Sequence, residues 1–155
     1  MKTFAVIASL GLVTVLPAQE VFVSQSGTRS VAQAPASNFT GTARVEMLFG
    51  ATEPMRASGG VVQFEAGART NWHTHPYGQT LYVISGVGRV QVFGGPVREI
   101  KAGDTIWFPP GEKHWHGAAP ETAMCHIATQ EARDGSVADW MEPVTDAQYT
   151  AKAEG

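Results

Sequence analysis

The chain has 155 residues, 43% of them apolar and only 16% charged, enough apolar material for one packed core and too much for wholesale disorder. Its formal charge is -3 with no basic stripe, which argues against nucleic acid and anionic membrane surfaces as partners.

The first segment differs from the rest. Lys2 precedes an almost wholly apolar run, Phe4 to Leu16, and Pro17-Ala18 follows. Thirteen residues are too few to span a bilayer, which takes about 20. Positive start, short apolar stretch and small residue together predict a secretory signal peptide over residues 1–18, and so an exported, periplasmic or secreted protein. Residues 19–37 carry Ser, Gln, Ala and one Pro without a pattern and read as a flexible lead.

From Thr42 the character is that of short strands. Runs rich in β-branched or aromatic residues cover 42–49, 60–64, 80–85, 89–93, 97–100, 105–108, 114–117 and 123–129, each bounded by Gly or Pro. About eight strands with turn residues between them predict an all-β sandwich or barrel over residues 38–132. Ala102-Gly103-Asp104 and Pro109-Pro110-Gly111-Glu112 are tight-turn sequences just before two of these strands. Residues 133–155 form a C-terminal tail, in which Thr145 is placed to cap a short helix through Tyr149. The single cysteine, Cys125, cannot close an intramolecular disulfide, so the fold stands without staples and the thiol is expected to be buried and inert.

The five histidines all fall between residues 73 and 126. His73 and His75 are two apart, as are His114 and His116, and residues i and i+2 of a strand share a face. Each pair can therefore aim two imidazoles at one interior point. Gln79 follows the turn Pro76-Tyr77-Gly78, which can swing its amide oxygen back toward the first pair. Imidazoles with an amide oxygen suit a first-row divalent metal.

These positions carry a family resemblance. Gly67, His73, His75, Gln79 and Gly86 stand in G-x5-H-x-H-x3-Q-x6-G spacing, and Gly103, Pro109, Gly111 and His114 in G-x5-P-x-G-x2-H spacing. The chain thus resembles a cupin, which implies a single-domain double-stranded β-helix, or jelly-roll barrel, with His73, His75, Gln79 and His114 as metal ligands. The first cupin motif usually has Glu where Gln79 stands, and the second often has Asn where Ala118 stands. Further stretches, among them Trp72-His73-Thr74-His75-Pro76, Gly78-Gln79-Thr80-Leu81, Gly111-Glu112-Lys113-His114-Trp115-His116-Gly117 and Asp139-Trp140-Met141-Glu142, are similar to the bacterial manganese-dependent cupin hydroxynitrile lyases of the (R)-mandelonitrile lyase type. That similarity implies Mn²⁺, with Fe²⁺ as the alternative, and cleavage of a cyanohydrin to an aldehyde and HCN. It also implies His126 as the acid/base, with His116 and Gln130 bordering the substrate pocket.

Strand parity supports a pocket role for His126, since Met124, His126, Ala128 and Gln130 share one face. Trp115 is a further candidate for the pocket wall, and Trp72 and Trp107 are core, rim or pocket aromatics. Three neutral imidazoles and an amide leave a divalent ion its full charge, where a Glu at 79 would reduce it to +1. That favours Lewis-acid chemistry on a hydroxyl or carbonyl oxygen over stabilising a higher oxidation state. A metal-dependent dioxygenase or C=C-cleaving oxidoreductase on the same scaffold, and a non-catalytic small-molecule binding module, are the competing functions. Edge strands of such barrels pair readily, so a homodimer or homotetramer is expected.

Overall fold

The strand that organises the molecule is the fourteen-residue β7, Gln79–Val92. The sequence reads as two strands here, broken at Gly86-Val87-Gly88. In the computed structural model, which describes residues 20–154, the glycines instead carry one strand around a corner. Gly86 adopts φ +80°, and a Cβ there would lie 1.9 Å from the carbonyl oxygen of Ala123. Only glycine fits that position. Ile84 is the extra residue of a bulge opposite Cys125 and His126, which adds to the bend.

The first half of β7 joins one sheet and the second half another. On the first sheet lie β1 (Val31–Gln33), β3 (Ala43–Phe49), β4 (Ala57–Phe64), β11 (Met124–Glu131), β7 and β9 (Thr105–Phe108). On the second lie β2 (Phe39–Thr40), β5 (Arg69–Thr70), β10 (His114–Ala118), β7 and β8 (Arg98–Lys101), with β6 (His73–Thr74) and β12 (Asp139–Trp140) attached. Every pairing between these strands is antiparallel, so the all-β barrel expected from the sequence is what forms. α1, Asp146–Tyr149, is capped by Thr145, whose hydroxyl accepts from the Gln148 N–H, and Gln148 returns a bond to the Thr145 N–H.

Two apolar layers hold these strands. Inside the barrel, Val62, Phe64, Leu81, Val83, Val90, Ile100, Phe108, Met124 and Ala128 make one core. Outside it, Trp72, Val97, Trp115, Val144 and Tyr149 make a second, where the C-terminal segment lies over the outer face of β10. All five residues of β10 are therefore buried, although their side chains alternate between the two layers.

Several boundaries shift from the sequence reading. The lead is not wholly without pattern, because β1 pairs along β3 and Arg29 reaches Glu46 at 2.8 Å. The C-terminal segment is part of the wall: β12 pairs with β6, and buried Arg69 bonds the Val144 carbonyl at 3.0 Å and Asp146 at 2.6 Å. Cys125 lies on the outer face of β11, half-buried, and partial desolvation raises its thiol above the ordinary range. The expected signal peptide lies outside the described residues.

Candidate metal centre

Cross-strand register brings the histidines together. His114 of β10 pairs with His73 of β6, and strand alternation puts His116 on the same inner face two residues on. Ring nitrogens of His73, His114 and His116 lie within 4.8 Å of one another, all buried, and these three can hold a metal ion. His75 joins from the turn after β6, its ring centroid 5.1 Å from that of His73 and 5.5 Å from that of His114. Gln79 opens β7, and its Oε1 lies 3.3 Å from His114 Nε2. Its side chain also reaches His73 and His75. The four ligands expected from the cupin resemblance thus converge, with His116 beside them.

The outward nitrogens decide what the inward ones are. His73 Nδ1 lies 3.0 Å from the Asn71 carbonyl, His75 Nδ1 2.6 Å from the Val137 carbonyl, and His114 Nδ1 2.8 Å from the Glu112 carbonyl. A carbonyl oxygen only accepts, so each Nδ1 carries the proton and each Nε2 is a bare lone pair. His75 Nε2 is buried with no hydrogen-bond partner, and His114 Nε2 faces another acceptor, Gln79 Oε1. Lone pairs converging in a buried site repel unless a cation lies between them, so the donor set fits a divalent ion. Backbone carbonyls that fix the tautomer of ligating imidazoles are the usual support of such sites.

Electrostatics agree. Burial pushes all four of these imidazoles, His73, His75, His114 and His116, below their ordinary value, with His114 lowered to about 4. Neighbouring imidazoles add to the effect at His73, His114 and His116. They are neutral at pH 7 and ready to ligate.

His126 lies behind this cluster. Its Nε2 is 3.2 Å from His116 Nδ1, and desolvation at full burial lowers it to about 4. His126 Nδ1 and His116 Nε2 have no partners. Phe64 packs on both rings, at 5.5 Å and 5.9 Å. His126 thus meets the imidazole cluster through His116. Gln130 also reaches the site, accepting at 3.2 Å from Gln79 Nε2.

Trp115 is placed elsewhere. One residue out of phase with His114 and His116, it points into the outer layer, edge-on to Trp72, with its Nε1 donating to Gln91 at 2.8 Å. Trp72 shares that layer, and Trp107 is exposed. Besides Phe64, the aromatic groups that touch the cluster include Phe108, stacked on His114 with centroids 3.8 Å apart, and Trp140, 4.7 Å from His73. Phe108 was legible as a strand residue before Pro109 and through the Trp107-Phe108 stretch, which belongs to the same resemblance, and Trp140 through the Asp139-Trp140-Met141-Glu142 stretch. Phe108 also lines a cleft of about 600 Å³ between β8 and β9.

The Cupin domain family matches residues 60–128, which hold all five histidines. A protein of Granulicella tundricola named (R)-mandelonitrile lyase, a carbon–carbon lyase, is 56% identical over 127 residues, covering 82% of this chain and 97% of that protein. The chain belongs to the cupin family. A cupin-like protein of Thermotoga maritima shares 36% identity and superposes with a TM-score of 0.74, over 88% of this chain and 99% of that one. A cupin 2 conserved barrel protein of Rhodopseudomonas palustris, 15% identical, shares the fold at a TM-score of 0.62 over 73% of this chain and 77% of its own.

Proposed function

We propose that this cupin is a metal-dependent carbon–carbon lyase that cleaves or forms cyanohydrins, with mandelonitrile going to benzaldehyde and HCN. The carrying observation is the set of buried, bare imidazole nitrogens around the Gln79 oxygen, with a second imidazole pair directly behind it. The 56% identity to a protein named (R)-mandelonitrile lyase supports the choice of substrate class.

His73, His75, Gln79 and His114 would hold the ion, and Mn²⁺ suits their nitrogen and oxygen donors, as Fe²⁺ also does. A divalent ion there supplies Lewis-acid polarisation of a hydroxyl or carbonyl oxygen. The protein's own proton chemistry belongs to the His116–His126 pair. With His116 Nδ1–H donating to His126 Nε2, His116 Nε2 is a bare base facing the ligand cluster. The pair takes the hydroxyl proton of the cyanohydrin as the C–C bond breaks and its electrons leave with cyanide. The imidazolium then protonates cyanide, and HCN and aldehyde depart. Phe64 and Phe108, both buried, pack on these imidazoles and keep water from them.

Export, supported by the Phe4 to Leu16 run, would place the reaction outside the cytoplasm. Strands β1 and β2 end the chain of pairings, and open edges of this kind support a homodimer or homotetramer.

The test is HCN release from mandelonitrile by protein whose metal content has been measured. Mn²⁺-loaded protein should release HCN, and chelation should stop it reversibly. O₂ uptake by Fe²⁺-loaded protein, with no HCN from either form, would replace this reading with an oxidoreductase.

A further inference from the structure

One side chain from each of three adjacent strands forms a polar rung beside the metal cluster. Register sets Ser58 of β4 opposite Gln130 of β11, and Gln130 opposite Gln79 of β7. The three face inward along one row and bond in series. Gln79 Nε2 donates to Gln130 Oε1 at 3.2 Å, Gln130 Nε2 donates to Ser58 Oγ at 2.9 Å, and the Ser58 hydroxyl donates to the Gln130 backbone carbonyl at 3.4 Å. Ser58 is 4% exposed and Gln79 5%, so water does not readily replace these bonds.

The rung has a direction. A primary amide has an acceptor end and a donor end, and rotation by 180° exchanges them. At Gln79 only the acceptor end can serve a metal, because an NH₂ group has no lone pair to give. With Gln130 Oε1 held toward β7, the Gln79 NH₂ has an acceptor on the outer side and Oε1 is directed at the imidazoles. Gln130 keeps that orientation because its own NH₂ is taken by Ser58, and Ser58 because its proton goes to a backbone carbonyl. Each NH₂ or OH group in the series then has an acceptor, and the oxygen left over is the one that faces His114.

We propose that Gln130 and Ser58 are positioning residues of the metal centre, which fix the Gln79 amide with its oxygen inward and thereby complete the donor set. Gln130 then acts through Gln79, in addition to any border it gives the pocket. The proposal rests on the metal reading of the cluster, and the test separates the two.

The experiment is calorimetric titration of Mn²⁺ into chelator-stripped protein, with the electron paramagnetic resonance spectrum of the bound ion and the melting temperature of the metal-free form. Gln130→Leu removes the acceptor that orients Gln79 and should weaken Mn²⁺ binding about 10- to 100-fold, with an altered spectrum. Gln130→Glu still accepts from the Gln79 NH₂ and from the Ser58 hydroxyl, and should bind within about threefold of wild type or more tightly. Ser58→Ala should weaken binding about threefold to tenfold. In Gln130→Leu the further change Ser58→Ala should add little, because the rung is already broken. Equal loss in the Leu and Glu variants would mean that Gln130 only fills volume, and would overturn the proposal. So would wild-type affinity in Gln130→Leu. If that variant does not fold, Ser58→Ala and Gln130→Glu decide: wild-type affinity in Ser58→Ala, or a large loss in Gln130→Glu, overturns the rung. A wild-type chain that takes up no Mn²⁺ or Fe²⁺ would instead overturn the metal reading itself.

Discussion

The two faces of β10 are equally buried and chemically opposite. Outward, Trp115 packs with Trp72 and Tyr149 beneath the C-terminal segment. Inward, His114 and His116 line the cluster. In the outer layer Trp115 Nε1 donates to Gln91, the Tyr149 hydroxyl donates to the Ala118 carbonyl, and Arg69 is shared between Val144 and Asp146. Its one unmet buried atom among the described residues is Nε of Arg89, whose Nη1 donates to the Tyr149 and Ala151 carbonyls. The inner cluster leaves three ring nitrogens unmet, on His75, His116 and His126. Burial alone therefore does not mark a functional site. Burial with polar atoms left free does, because a fold that spends no partner on them keeps them for something else.

The largest stability effect should come from the outer layer. Trp115→Ala removes a fully buried ring and should cost about 3–5 kcal/mol, read as a fall in the urea midpoint. At low temperature, where the variant stays folded, its Mn²⁺ affinity should remain near wild type. Loss of metal binding without loss of stability would reverse the roles assigned to the two faces. The inner face should behave in the opposite way. His126→Ala should retain metal and lower HCN release by about 10²- to 10⁴-fold, the usual worth of a positioned acid/base. Full activity in that variant would remove His126 from the mechanism and leave His116 alone with the proton.

How much of this was legible in the sequence follows from range. The histidine cluster was readable because strand parity is local: i and i+2 share a face wherever a strand forms. The capped helix at Thr145 was readable for the same reason. What failed was non-local. Gly86 and Gly88 read as a break because a bend and an end look alike until the clash with Ala123 is seen. Val137 was set in a tail, yet its carbonyl holds His75. The same parity that grouped the histidines excluded Trp115 from their face, and the pattern for that was available. Its placement as a pocket wall followed closeness in sequence rather than phase.

Acid should separate the faces next. In metal-free protein His126 is lowered from 6.5 to about 4 by desolvation. The unfolded chain takes up that proton near pH 6.5, and the folded one only near 4. Between those values the unfolded state binds more protons, so stability falls as pH falls and is fully present above 6.5. The shift corresponds to on the order of 3 kcal/mol for this residue. Urea midpoints of chelated protein at pH 7, 5.5 and 4.5 should decline in that order. His126→Phe should flatten part of the slope and Trp115→Phe should not. A flat wild-type profile would mean that the cluster is open to water and not the dry site described.

The smallest effect tests whether the C-terminal segment is bound cooperatively to the outer layer. Thr145→Ala deletes the hydroxyl that accepts from Gln148 N–H, and a lost cap costs about 1 kcal/mol. The helix it starts is one turn long and carries Tyr149, which is 4% exposed and lies against Trp115 and Arg69. If the segment folds with the barrel, the variant should lower the whole urea midpoint by that amount, with one transition seen by both tryptophan fluorescence and far-ultraviolet circular dichroism. If it docks separately, fluorescence from Trp72 and Trp115 should change before the strands melt. His75 would then lose its Val137 anchor ahead of global unfolding, and Mn²⁺ affinity would fall in that same early transition. A single transition with unchanged affinity would show that the outer layer and the metal cluster, opposite in chemistry, are one unit in stability.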